Sequence, residues 1–332
     1  MPMRRANDES RPLLDIASWA RRGLGRRDHF SPADVELIAR TVHRVPEVMI
    51  KVLTRGGQDL RAVRRHLEYL DRKGELDLET DDGRRLAGKG VEPELLEDWD
   101  LDVEQDRRTA ALEARPSRSP PKLVHKVLFS MPPGTPPRKV LEAVKNFARE
   151  EFGLKHRYAM ALHTDEPHPH VHTVIKAVSE QGERLHIRKA TLRAWRQEFA
   201  RHLRALGVPA NATERAVRGE SRSPKLDGIH RLGQRGESWR VRARMEEVAR
   251  DIFSGRLRTE PGKETLIETR KVIERGWLAA GEILASQGHR ELAKEVTQFV
   301  GRMLPPQTDR EMIAEELRKN HRDARAREGP TR

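Results

Sequence analysis

The chain is 332 residues long and carries 65 Lys and Arg against 52 Asp and Glu, a net charge of +13 at neutral pH. That excess is drawn to polyanions, because each phosphate neutralised by Lys or Arg releases condensed counterions. Cysteine is absent, which excludes disulfides, zinc–thiolate sites and thiol catalysis and leaves His, Asp and Glu to hold any metal.

The first 45 residues read as short polar helices, without the apolar core or cleavage site of a secretory signal. Ser31 and Pro32 form an N-cap and first-turn pair for a helix with apolar positions Val35, Ile38 and Val42, which Pro46 ends. A short strand follows over 48–53. Gly56-Gly57 turns the chain into a helix over about 59–73, stopped by Gly74, and a hairpin at 75–80 and 84–87 closes around Asp82-Gly83. Residues 92–106 hold eight acids and no base, expected as a solvated helical face. Residues 116–121 read as a linker.

A regular block comes next: a strand over 122–131, an amphipathic helix over 137–152, and strands over 156–162 and 168–178. After a turn at Gln181-Gly182 come a short strand over 184–187 and a helix over about 191–206 with Leu192, Trp195, Phe199, Leu203 and Leu206 on one face. Residues 207–236 are basic and turn-rich, and helices are expected at about 238–254, 263–286, 289–303 and 309–327. No apolar run approaches the roughly 18–20 residues of a membrane span, so a soluble, cytoplasmic protein is expected. Strands and helices mix without strict βαβ repetition, which predicts an α+β fold: a mainly antiparallel sheet with flanking helices, plus a helical C-terminal region. The expected division is an N-terminal helical extension (1–45), a mixed α+β domain (46–215), a basic linker (216–236) and the helical region (237–332).

Chemistry concentrates in residues 163–172, HTDEPHPHVH, which hold four of the fourteen histidines. On a regular strand His168, His170 and His172 share a face, while Val171, Thr173, Ile175 and Ala177 turn to the other. Two histidines at i and i+2, with a third from an adjacent strand, make an open three-ligand metal site.

There are two tyrosines, Tyr69 and Tyr158. At about 100° per residue, Leu60, Val63, Leu67 and Leu70 form one stripe, and Tyr69 lies roughly 140° from its centre, among Arg65, His66, Arg72 and Lys73. A core tyrosine would share the leucine face. Tyr158 alternates with Met160 and Leu162 on the face opposite His163, the place of a core residue. Phenols ionise only near pH 10, so a tyrosine nucleophile needs assistance.

The pattern H-x-D-x-x-x-x-H-x-H formed by His163, Asp165, His170 and His172, with Val171 as the hydrophobe, resembles the metal motif of relaxases. These are the mobilisation nucleases of conjugal DNA transfer, within the histidine–hydrophobe–histidine endonucleases. The segment from Lys51 to Gly57, followed by Val63 to Gly74, is similar to the family's first motif, where the nucleophilic tyrosine sits on a helix after the first strand. The resemblance covers roughly residues 47–215. It implies that His163, His170 and His172 bind Mg²⁺ or Mn²⁺, although ligand softness by itself suits Zn²⁺, Ni²⁺ or Cu²⁺ equally well. It further implies that Tyr69 attacks a phosphodiester to give a 5′-phosphotyrosyl protein, and that Asp165 orients a ligand or helps take the tyrosine proton. The role of His168 stays open.

The implied activity is site- and strand-specific nicking and strand transfer that starts conjugal plasmid transfer. Its partners would be single-stranded DNA at a transfer origin together with relaxosome accessory and coupling proteins, with no membrane. Lys51, Arg55, Arg65, Arg72, Lys73, Lys126 and Lys176 are candidates for backbone phosphate contacts. A rolling-circle replication initiator is the nearest alternative, although such initiators generally place the tyrosine after the histidines. A non-catalytic relaxosome DNA-binding protein is another, and a hydrolase without a covalent step a third. Whether Tyr69 lies near the histidines separates the catalytic from the non-catalytic reading.

Overall fold

The computed structural model describes residues 29–53, 57, 59–114, 121–220, 239–255 and 260–327. Its elements up to the sixth strand are α1 (Pro32–Val42), β1 (Met49–Leu53), α2 (Leu60–Leu70), β2 (Leu78–Thr80), β3 (Arg85–Leu86), α3 (Val91–Asp98), α4 (Leu101–Ala114), β4 (Val124–Ser130), α5 (Pro137–Phe152), β5 (Tyr158–His163) and β6 (His170–Lys176). There follow α6 (Lys189–Ala205), α7 (Trp239–Phe253), α8 (Lys263–Ser286), α9 (Arg290–Gly301) and α10 (Asp309–Arg327). The strands form one open antiparallel sheet in the order β1-β4-β6-β5-β2-β3, so the α+β expectation holds.

Strand alternation divides the core between the two faces of the sheet. On one face Val127, Phe129, Tyr158, Met160, Val171 and Ile175 pack under α5 and α6, against Phe147, Phe152, Trp195 and Phe199. Tyr158 is 5% exposed there, the core residue its parity predicts. On the other face Val124, Ala159, Ala161 and Val174 meet Val63, Leu67 and Leu70 of α2, with Leu95, Trp99 and Leu101 alongside. Each fully buried Leu or Phe contributes about 1.5–3 kcal/mol, so both faces hold their helices firmly.

Helix α2 starts where Asp59 caps it, its Oδ1 accepting from the Ala62 N–H at 2.8 Å. It stops at Leu70, three residues before the expected end. The backbone carbonyl of Asp71 accepts from Gly74 and Leu76, and its carboxylate accepts from the Lys73 N–H. Arg72 and Lys73 take φ of 54° and 58°, and Gly74 takes 88°. A Cβ on Gly74 would lie 2.7 Å from Gly88 C and Lys89 N, so glycine is required at this turn.

Three further expectations change. Strand β6 begins at His170, leaving His168 in the preceding loop. The strand over 184–187 is reduced to an isolated bridge between Val178 and Arg184, because the turn capped by Ser179 and the start of α6 leave too few residues for a ladder. The acidic stretch forms α3 and the start of α4, and it is not uniformly solvated. Glu92 is buried, and Asp98 pairs with both Arg84 and Arg157. The linker over 116–120, most of the basic segment over 216–236, Arg55 and residues 1–28 lie outside the described residues.

By internal contacts, residues 44–212 form one unit, and residues 29–43 with the described residues from 213 onward form a second. In the second unit α1 is capped by Ser31 and Asp34 in a capping box, as the Ser-Pro start predicts. Ile38 packs there with Ile273, Trp277, Leu284, Val296 and Phe299. No helix among the described residues is long and apolar enough to cross a membrane.

Candidate active site

The face of the sheet that carries α2 also carries the histidines. His170 and His172 alternate on β6, and His163 on β5 stands opposite His170 in the register. All three are buried, at 1–6% exposure. Ring centroids lie 5.3 Å apart for His163–His170, 4.7 Å for His163–His172 and 5.3 Å for His170–His172. One nitrogen from each lies within 4.8 Å of the other two.

Backbone carbonyls set the tautomers, since a carbonyl can only accept. His170 Nδ1 donates to the His168 carbonyl at 3.1 Å, which keeps a lone pair on Nε2. His163 Nε2 donates to the Leu70 carbonyl at 2.8 Å, which keeps the lone pair on Nδ1. His172 Nδ1 is buried with no hydrogen-bond partner, a costly state that a bond to a metal would relieve. Burial, reinforced by the neighbouring His163 and His170, pushes the His172 pKa down to about 3, and burial also lowers that of His163. Imidazoles converging in this way fit a divalent cation.

Helix α2 brings Tyr69 to this cluster. The ring is 42% exposed, with its centroid 5.7 Å from that of His163 and 5.5 Å from that of His172. It stacks on His66, at 6.0 Å and 16°. Arg72 Cζ lies over the same ring, 5.0 Å from its centroid. His66 was not assigned to the site from sequence, although its place three residues before Tyr69 on a helix puts the two side by side. Burial, with Lys126 and His163 nearby, drives its pKa down to about 3.

Asp165 meets Arg72 at 2.5 Å rather than a histidine. Burial alone would raise its pKa, but a bond from its own backbone N–H and the Arg72 charge hold the carboxyl below the usual range. The same Arg72 Nη2 lies 3.3 Å from His163 Nδ1.

The other cations divide. Lys126 on β4 is buried on the histidine face, and its charge lowers the proton affinity of His66. Arg65 and Lys73 are exposed, on α2 and just after it. Lys176 is not brought to the cluster. It lies six residues along β6 from His170, about 20 Å away at strand rise, and its Nζ bonds Glu180 at 3.2 Å.

Comparison with known proteins points to one family. Residues 78–208 match the family described as Relaxase: MobA/VirD2-like, nuclease domain. The chain is 27% identical over 210 residues to a T-DNA border endonuclease VirD2 of Rhizobium radiobacter, covering 59% of this chain and 48% of that protein. It is 26% identical over 207 residues to the VirD2 of Agrobacterium fabrum, covering 59% and 46%. The chain thus spans about half the length of these relatives, and Tyr69 precedes the span matched by the family. The stretch holding all three clustered histidines is similar to the nuclease domain of the MobA/VirD2-like relaxases, as its motif implied.

Proposed function

We propose that this chain is a metal-dependent relaxase, a site- and strand-specific nickase and strand transferase for single-stranded DNA at the transfer origin of a plasmid or integrative element. The observation that carries this reading is the position of Tyr69, with its ring against both His163 and His172. A non-catalytic DNA-binding protein has no need of that arrangement. His163 through Nδ1, His170 through Nε2 and His172 would hold Mg²⁺ or Mn²⁺. The bound ion would supply Lewis-acid polarisation of the scissile phosphate.

The remaining steps belong to side chains. Tyr69 Oη attacks phosphorus, the P–O3′ bond breaks, and the 3′-oxygen leaves as a hydroxyl after taking a proton. The product is a 5′-phosphotyrosyl bond that conserves the phosphodiester energy, so attack by a 3′-hydroxyl reverses it and transfers or rejoins the strand. Neutral His66, stacked on the phenol ring, can receive its proton, and the Asp165 carboxylate is linked to the phenol through Arg72. Arg65, Lys73 and Lys126 contact the DNA backbone, and the target must be single-stranded or extruded to reach the tyrosine. The protein acts in the cytoplasm with relaxosome accessory and coupling proteins.

Cleavage of single-stranded oligonucleotides spanning the element's own transfer origin tests the reading. Nicking at one position with Mg²⁺ or Mn²⁺, abolished by EDTA and by His170→Ala, supports it. Cleavage that persists in EDTA contradicts it.

A further inference from the structure

We infer that Arg72 is a positioning residue that closes the three-histidine site in the metal-free protein and leaves His163 when a divalent cation enters. The inference rests on the metal reading above. It starts from His163, whose two ring nitrogens are both engaged. Nε2 is committed to the Leu70 carbonyl, so Nδ1 is the only nitrogen left for a metal, and Arg72 Nη2 already faces it at 3.3 Å. A single lone pair cannot serve a guanidinium N–H and a metal together, and a guanidinium beside a dication is repelled by it.

The same guanidinium is anchored at two other points. It binds Asp165 at 2.5 Å and lies over the Tyr69 ring with Cζ 5.0 Å from the centroid. One side chain therefore touches a metal ligand, the motif carboxylate and the nucleophile. The backbone is shaped to deliver it. Arg72 and Lys73 both adopt left-handed φ, a conformation side chains rarely take, and Asp71 and Gly74 hold the turn. Metal loading and the surroundings of Tyr69 are thereby linked through one residue that coordinates nothing.

The chain's two tyrosines make this readable. Protein labelled with 3-fluorotyrosine gives two ¹⁹F resonances, and that of buried Tyr158 serves as an internal reference for folding. Spectra are recorded for wild type, Arg72→Met and Arg72→Ala, without metal and with saturating Mg²⁺, and Mn²⁺ affinity is measured by calorimetry. Without metal, the Tyr69 resonance of wild type should stand apart from that of both variants. With Mg²⁺ the gap should collapse, and both variants should bind Mn²⁺ at least tenfold more tightly than wild type. An undiminished gap, or equal affinities, overturns the inference while leaving intact any metal binding that His170→Ala abolishes. Absence of binding by wild type itself overturns the metal reading, and this inference with it.

Discussion

Substituting His170 separates a metal site from a merely histidine-rich strand, and the size of the effect follows from linkage. A ligand that binds only the folded state stabilises it by about 2.7 kcal/mol at a hundredfold excess over Kd. The unit holding the site, residues 44–212, is about 170 residues long. For a domain of that size, 1 kcal/mol moves Tm by roughly 2–4 °C, so saturating Mn²⁺ should raise Tm by about 5–11 °C. Trp99 and Trp195 are fully buried in this unit and Trp277 in the other, so intrinsic fluorescence follows the melting of both, and the metal-dependent part of the transition is read. His170→Ala removes a ligand while leaving His163 and His172, and should reduce the shift to about 2 °C or less. His168→Ala is the matched control. His168 contributes its backbone carbonyl to His170 Nδ1, which alanine retains, so most of the shift should survive. A full shift in His170→Ala, or its loss in His168→Ala alone, would refute the assigned ligand set.

Other expectations concern the scaffold. Leu67, on the buried side of the helix that carries Tyr69, is 0% exposed, and Leu67→Ala should cost about 2–5 kcal/mol in urea unfolding. Gly57→Ala would set a Cβ 2.5 Å from the Val124 carbonyl oxygen, a backbone atom that cannot swing aside, and should cost about 1–3 kcal/mol in the same assay. Burial, helped by Lys122, pushes the His125 pKa down to about 4 from an unfolded value near 6.5. The unfolded chain binds a proton in that window that the fold refuses, so stability falls as pH drops from about 6.5 to 4, by up to about 3 kcal/mol from this group. His125→Asn should flatten that acid slope in metal-free urea melts, and an unchanged slope would count against the assignment.

The histidine site was legible because strand period and motif spacing agree: residues at i and i+2 must share a face, and a third histidine one hairpin earlier can only come alongside. Tyr69 was legible because its helix has one clear apolar stripe. Parity, however, says which face a side chain takes and not how far along the strand it sits, so Lys176 shares the face of the histidines and is still remote from them. The end of α2 was misjudged because the left-handed turn at Arg72 and Lys73 is held by hydrogen bonds to Asp71, which residue type does not reveal. The carbonyls of Leu70 and His168 that set the imidazole tautomers are backbone groups with no sequence signature. His66 was within reach of helix geometry, since i and i+3 are neighbours, but no motif singled it out.

The most direct test of the central claim is covalent capture of DNA. Oligonucleotide from the element's own transfer origin, labelled 3′ of the nick, is incubated with Mg²⁺ or Mn²⁺ and wild type, Tyr69→Phe or Tyr158→Phe, then resolved on a denaturing protein gel. Tyr69→Phe keeps the ring that packs on His66, His163 and His172 and removes only the hydroxyl. The account predicts a metal-dependent labelled adduct with wild type and Tyr158→Phe, and none with Tyr69→Phe. Metal-dependent cleavage that persists in Tyr69→Phe would contradict it.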